Sequence, residues 1–451
     1  MLFEIDKQTI RDLNLFEERT NNKSIFSVYN HTATKGGQEK MYKLFRTPVS
    51  NLESLQCRKA EINFFFEHDC ALNLKSRHLD FIEHYLGNDR VPLRNNIIDA
   101  AFDGLRNKLS ANGDYWIISN GILHAIRLLV DLELFIKEAE SFTIPATLKE
   151  DLDQLKNFAA SNVLKKVLSD PPADIKDLTF AQINNLDHLI RVTKKADFRE
   201  VLNIVYKIDV LQTLGSIMKR EGFTLPEYCD GSQPLFEVTD AFYPILLAPI
   251  PNSFTFKHDS SLCFITGPNM AGKSTFLKTM GLMIYLAHLG FPVPAKQMRT
   301  TVFDGLFTTI NLADNLNLGY SHFYSEVQRV KDIVVKINTE RNLVVIFDEL
   351  FRGTNVKDAY DASLMIISAL AKIRGNLFFI STHILEVAEY LGNKDSILFK
   401  CFESELVDHT PVYDFKLKEG VSKERIGMLI IQRENIIEIL AHIVEKQNRL
   451  M

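Results

Sequence analysis

Apolar residues recur at three- and four-residue steps through the first half of the chain. Ile122, Ile126, Leu129, Leu132 and Ile136 form one such set, and Ile204, Ile208, Leu211 and Leu214 another. That spacing gathers them on one face of a helix, so residues from Gln38 to about Arg220 are predicted to be mainly helical. Thr47-Pro48, the region of Pro145 and Asp170-Pro171-Pro172 interrupt the pattern, giving several helices joined by short turns. The pattern changes after Gly222. Pro226, Gly231 and Pro234 mark a linker, and short apolar runs follow: Leu262–Ile265, Leu343–Phe347 and Leu377–Ile380. Unbroken runs of four or five apolar residues with helical segments between them predict buried parallel strands of an α/β domain. Ligands of such sheets sit beyond the carboxyl ends of the strands.

With 451 residues the chain has room for about three structural units. Its 46% apolar and 24% charged residues, 14 prolines and 20 glycines exclude disordered, fibrous and low-complexity classes. The five cysteines are scattered, with neither a C-x-x-C pair nor a zinc spacing, which reads as reduced thiols. The N-terminal stretch is charged throughout and lacks the apolar core of a signal peptide. No apolar stretch long enough to span a bilayer is evident, because His288, Asp348 and Arg433 break the longest ones. A soluble, cytoplasmic protein with no membrane partner is expected. Charge does not announce nucleic acid: 52 basic residues face 57 acidic ones, a net charge of −5. The densest basic run, Arg191, Lys194, Lys195 and Arg199, is compatible with a solvated helix face.

The polar motifs fall where the strand runs end. Gly267, Pro268, Asn269, Met270, Ala271, Gly272, Lys273, Ser274 and Thr275 fit G-x-x-x-x-G-K-[ST], between a predicted strand and a predicted helix. Glycines in that loop let backbone N–H groups close on phosphate oxygens, and the helix that follows presents its positive end. Lys273 would reach the outer phosphates of ATP and the Ser274 hydroxyl would hold Mg²⁺. The run 343–347 ends in Asp348 and Glu349, placing a metal-holding carboxylate beside one that could polarise a water. His383 follows the run 377–380, where it could contact the terminal phosphate or the water, or serve structure alone. Ser321 and Glu326 precede a helix and read, as residues, as an N-cap with an acid in the first turn.

Four segments in order, TGPNMAGKSTFLKT, DNLNLGYSHFYSEV, LVVIFDELFRGTNVKDA and FISTHILEVA, together resemble the ATPase domain of the DNA mismatch repair protein MutS family. The first half agrees: Tyr29–Gly37, Leu44–Val49 with Arg58, and Ile208–Leu211 resemble the family's helical core, and Phe242–Leu246 its return into the ATPase domain. The resemblance covers roughly residues 25 to 430. It implies a multidomain chain: an N-terminal segment (1–24), an all-α core or lever domain (25–230), an α/β P-loop ATPase domain of the ABC type (231–430) and a helical tail (431–451). It also implies a head-to-tail homodimer in which Ser321 and Glu326 complete the partner's ATP site, and levers that move on DNA when ATP closes the dimer.

The mismatch-reading and connector domains of the family, and a C-terminal nuclease extension, are expected to be absent. Phe351, Asn355 and Ala359 replace the usual Gly, Ser and Gly; Tyr243 replaces a His, and Glu39 stands near a usual basic residue. These changes touch dimer and DNA contacts and leave the phosphate and Mg²⁺ set intact. A DNA-binding ATPase of repair or recombination, with a partner protein from that machinery, is therefore expected, with Lys165, Lys166, Arg191, Lys194 and Lys195 as DNA contacts. The alternative is an ATP-driven dimerising switch that acts on a protein and has lost DNA. An ABC transporter or condensin-like ATPase fits less well, for want of membrane spans and long heptads.

Overall fold

The computed structural model describes residues 3–17, 23–87, 113–231, 233–257, 259–310, 322–340, 342–351, 355–392, 396–407, 410–422 and 436–448. The chain mixes helix and sheet and divides into two compact units that are not contiguous in sequence. One comprises Met1–Val28, Thr47–Leu55 and Glu221–Met451; the other comprises Tyr29–Arg46 and Gln56–Arg220.

The second unit is helical among its described residues. Its elements are the chain's α3 (Lys35–Phe45), most of α4 (Leu52–Glu67), α5 (Ser76–Leu86), α6 (Gly113–Ala139), α7 (Ala146–Ala159), α8 (Asn162–Leu168), α9 (Phe180–His188) and α10 (Lys195–Glu221). Helices α1 (Lys7–Asp12) and α2 (Ile25–Tyr29) precede them. The periodic apolar residues of α6 and α10 are all buried, so the spacing marked core. Pro145 stands at the N-cap of α7, and Gly222 takes a left-handed φ of 69° just past α10, as a helix-ending glycine does. By length and hydropathy α10 is the one helix among the described residues that could cross a membrane, contrary to the reading of the sequence. Yet 72% of that stretch is buried inside the protein, so its apolarity is that of a core helix.

The start of α3 depends on Asp209 of α10. Its fully buried carboxylate accepts the Ala33 and Thr34 N–H groups at 2.9 and 3.0 Å and the Thr34 hydroxyl at 2.6 Å. A Cβ on Gly37 would lie 2.2 Å from Asp209 Oδ2. Gly37→Ala is therefore expected to destabilise this unit by about 1–3 kcal/mol, the usual range for an overpacked site. A lowered urea midpoint, read by helical circular dichroism, would show it; an unchanged midpoint would contradict the role given to Asp209.

The other unit is built on a seven-stranded sheet. Its strands are β1 (Glu4–Ile5), β5 (Leu262–Thr266), β7 (Gly305–Thr309), β8 (Leu343–Phe347), β9 (Leu377–Ser381), β10 (Ile397–Cys401) and β13 (Lys418–Glu419), in the order β1-β7-β8-β9-β5-β10-β13. All neighbours run parallel except β10 and β13. Every residue of β5, β7, β8 and β9 is buried, which is why three of these strands appear as unbroken apolar runs. A smaller sheet joins β2 (Glu227–Tyr228), β6 (Gln297–Thr300), β3 (Phe236–Ala241) and β4 (Asn252–Thr255), and β11 (Ser404–Val407) pairs with β12 (Thr410–Tyr413). Helices α11 (Lys273–Leu289), α12 (His322–Thr339), α13 (Val356–Leu370) and α14 (Leu385–Leu391) alternate with the strands, and α15 (Ile436–Asn448) ends the described chain. Thr309 pairs with Phe347, and Phe347 with Ile380, so the carboxyl ends of β7, β8 and β9 lie side by side.

Candidate functional site

Strand β5 ends at Thr266, and the loop 267–272 turns the chain into α11. Backbone geometry explains both of its glycines. Gly267 has φ 142°, and a Cβ there would lie 2.6 Å from the Phe402 carbonyl oxygen. Gly272 has φ 104° and is the N-cap of α11, with no side chain capping the first turn. Such a first turn keeps N–H groups available for an anion. Met270 also takes a left-handed φ, of 69°, and its side chain is exposed.

Lys273 opens α11 and is buried, with its ammonium donating to the carbonyls of Gly267 at 2.8 Å and Pro268 at 2.9 Å. Burial holds its pKa below the usual lysine value, while the carboxylates of Glu349 and Asp348 act in the opposite direction. The side chain thus rests against the loop it would leave to meet a phosphate. Asn269, Met270, Gly272, Lys273, Ser274 and Thr275 line a pocket of ≈ 710 Å³. Its far wall is apolar, from Tyr243, Leu246, Pro249, Ile250, Phe402 and Phe415, and Glu349 also lines it. The pocket therefore joins the glycine loop and the first turn of α11 to an apolar surface.

Asp348 and Glu349 sit at the end of β8. The Asp348 N–H donates to the Thr309 carbonyl at 2.9 Å, and the Ser381 hydroxyl donates to Asp348 Oδ1. Glu349 has a left-handed φ of 56°, a conformation that is uncommon for a non-glycine residue and often found at functional sites. Its N–H is held by the carbonyl and the hydroxyl of Ser381, both at 3.1 Å. His383 Nε2 lies 3.2 Å from Glu349 Oε2, with the glutamate side chain only 18% exposed. The structure thus brings together the phosphate loop, both acids and the histidine read from the sequence. Ser381 was missed there. Its signal was the serine directly after the apolar run 377–380, where the chain leaves a buried strand beside two acids.

The other expected site residues are placed differently. Ser321 lies outside the described residues. Glu326, expected to reach a partner's nucleotide, is buried instead, lining a void of ≈ 10 Å³ with Thr309, Asp348 and Glu349 of its own chain. In this arrangement it faces the acids of its own site. Arg191, expected to touch DNA, is also buried. Its guanidinium donates to both oxygens of the fully buried Asp187, at 2.6 and 2.7 Å, and Tyr85 donates to the same carboxylate at 2.8 Å. Buried and paired with a carboxylate, this side chain is not presented on the surface where a phosphate could meet it. Lys165, Lys166 and Lys195 are exposed, while Lys194 is partly buried with its ammonium 5.5 Å from the Phe158 ring centre.

Comparison with known proteins matches residues 263–451 to the family described as MutS domain V. A DNA mismatch repair protein MutS from Bacillus licheniformis is 29% identical over 240 residues, covering 52% of this chain and 27% of that protein. Its namesake from Thermus thermophilus is 36% identical over 204 residues, 44% of this chain and 24% of that protein. The Persephonella marina protein of the same name is 32% identical over 257 residues, 54% and 29% respectively. The chain thus spans under a third of the length of these curated relatives. Residues 263–451 match MutS domain V, and the chain is similar to MutS proteins over about half its length.

Proposed function

We propose that the protein is a Mg²⁺-dependent ATPase that uses nucleotide binding to drive a dimerising switch on DNA. One observation carries the catalytic part of this reading: Glu349 and the Lys273–Thr275 stretch line the same pocket. In that pocket the loop amides and Lys273 would bind the phosphates, and the apolar wall would take the base. The Ser274 hydroxyl and the Asp348 carboxylate are hard oxygen donors that suit Mg²⁺, which would neutralise charge on the phosphates. The loop fits phosphate because a side chain at either glycine would fill the space or strain the turn. Glu349 would orient and polarise a water, and the His383 ring would hold the Glu349 carboxylate in place. Ser381 would fix both acids, through the Asp348 side chain and the Glu349 amide.

The likeness to MutS supports DNA as the ligand of the helical unit, a homodimer as the working form, and a role in mismatch repair or recombination with a partner protein from that machinery. It equally supports lever movement driven by ATP. Exposed Lys165, Lys166 and Lys195 are the proposed DNA contacts. Replacing all three by glutamate is expected to flatten the salt dependence of DNA binding. The slope of log affinity against log salt should become shallower by roughly 0.9 for each phosphate that a lysine no longer neutralises. An unchanged slope would remove these lysines from the interface.

A second reading, a switch acting on a protein with DNA binding lost, draws on the net charge of −5 and the burial of Arg191. Titrating homoduplex, mismatched duplex and four-way junction with Glu349→Ala protein in ATP and Mg²⁺ separates the two. Binding to any of them supports DNA. Binding to none, with ATP-driven dimerisation intact, supports the protein-directed switch.

A further inference from the structure

Residues Phe3–Leu15 are built into the sheet unit, and they meet it where Asp348 is held. Strand β1 extends the sheet beside β7, with Glu4 opposite Gly305 and Ile5 opposite Leu306. Helix α1 then crosses the carboxyl end of β7. Thr308 donates its N–H to Thr9 Oγ1 at 2.9 Å and its hydroxyl to Asp12 Oδ2 at 2.7 Å; the Ile310 N–H reaches the same oxygen at 2.9 Å. Between these two residues, the Thr309 carbonyl accepts the N–H of Asp348. The strand end that seats the expected metal-holding acid is therefore clamped by Thr9 and Asp12.

Arg329 of α12 closes the clamp from the other side. Its Nη2 donates to the Thr308 carbonyl at 2.7 Å and its Nε to Thr309 Oγ1 at 3.2 Å, while Nη1 donates to Asp6 Oδ2. Asp6 is also the N-cap of α1, accepting the Thr9 N–H at 2.8 Å. Burial acts to raise the Asp6 pKa, but the bond and charge of Arg329 hold it below the usual aspartate value. The guanidinium side chain is only 13% exposed. One turn earlier on α12, Glu326 faces Asp348 and Glu349.

We propose that Arg329 is a positioning residue through which helix α12 sets the Asp348–Glu349 pair, with Asp6 of the N-terminal segment as its anchor. The proposal rests on the ATPase reading given above. A rigid guanidinium fork spans three acceptors, two on the end of β7 and one on the N-terminal segment. A shift of α12 then either breaks the fork or moves the strand end that seats Asp348. Lysine could keep the ion pair with Asp6 but could not reproduce the fork.

The test is steady-state ATP turnover and equilibrium ATP binding by Arg329→Gln, Arg329→Lys, Asp6→Asn and the Asp6→Asn/Arg329→Gln double variant, with thermal unfolding as a check on folding. A displacement of about 1 Å at a catalytic group costs about a hundredfold in rate, so a partly relaxed clamp should lower kcat by about tenfold in Arg329→Gln. ATP affinity should stay at the wild-type value, because the Lys273 loop is untouched. Arg329→Lys should fall between wild type and Arg329→Gln. The double variant should be no slower than Arg329→Gln, since both changes cut one path. Wild-type kcat in Arg329→Gln, or a loss of ATP affinity matching the loss of kcat, would overturn the positioning role. If Arg329→Gln does not fold, Arg329→Lys and Asp6→Asn decide the matter by the same split between kcat and affinity. No turnover by the wild-type protein would overturn the ATPase reading itself, and this proposal with it.

Discussion

Lys273→Ala is expected to abolish productive ATP binding. In the structure the ammonium is already desolvated and held by two loop carbonyls, so bringing it to a phosphate costs little further burial. Hydrogen bonds to charged groups contribute about 1.5–3 kcal/mol each. Losing two of them corresponds to about 3–6 kcal/mol, or at least a hundredfold in affinity. Titration with a fluorescent ATP analogue should show the affinity of the variant weakened by at least about that factor. Removing Lys273 also leaves the Gly267 and Pro268 carbonyls without this donor, so the loop itself should loosen. Wild-type affinity in the variant would mean that nucleotide binds elsewhere or not at all.

The second large effect separates binding from chemistry. Glu349→Gln keeps the size of the side chain but removes its charge and its capacity as a base. Positioned acid–base groups typically contribute about 10²–10⁴ in rate, so kcat should fall by a factor in that range. ATP affinity should hold, because the phosphates are met by the loop and Lys273. The backbone of Glu349 should stay in place, since its N–H is fixed by Ser381. Rapid-quench measurement of ATP cleavage, beside equilibrium binding on the same preparation, resolves the two quantities. A rate within a few-fold of wild type would reassign the water-activating role.

Much of this site was legible because buried parallel strands write themselves as unbroken apolar runs, with chemistry at their ends. Leu343–Phe347 is a strand with the predicted limits, and the strands over Leu262–Ile265 and Leu377–Ile380 each run one residue further. The half-buried strands were harder to see. In β3 the burial alternates only in part, and β13 has two residues, too few for any pattern. Strand β1 is equally short, and the hydrogen bonds that tie its segment to β7 come from residues some 300 positions away. Nothing local in Glu4-Ile5 announces that partner.

Arg191 shows how a local irregularity defeats periodicity. It lies in a π-helical turn, Leu189–Thr193, and the Lys194 N–H bonds to the Leu189 carbonyl five residues back. The wider turn changes the phase of the helix. A residue counted with its basic neighbours on a solvated face is thereby turned inward onto Asp187. The burial of Glu326 beside the acids of its own chain has another origin. It lies three positions before Arg329, and both point from α12 toward the strand ends, an orientation that a motif spacing does not carry.

The most direct measurement is release of phosphate from ATP by the wild-type protein in Mg²⁺, in EDTA, and by Lys273→Ala prepared in the same way. Turnover that requires Mg²⁺ and disappears in Lys273→Ala is the predicted result. No release by the wild type, or equal release by both proteins, would contradict an ATPase site at this pocket.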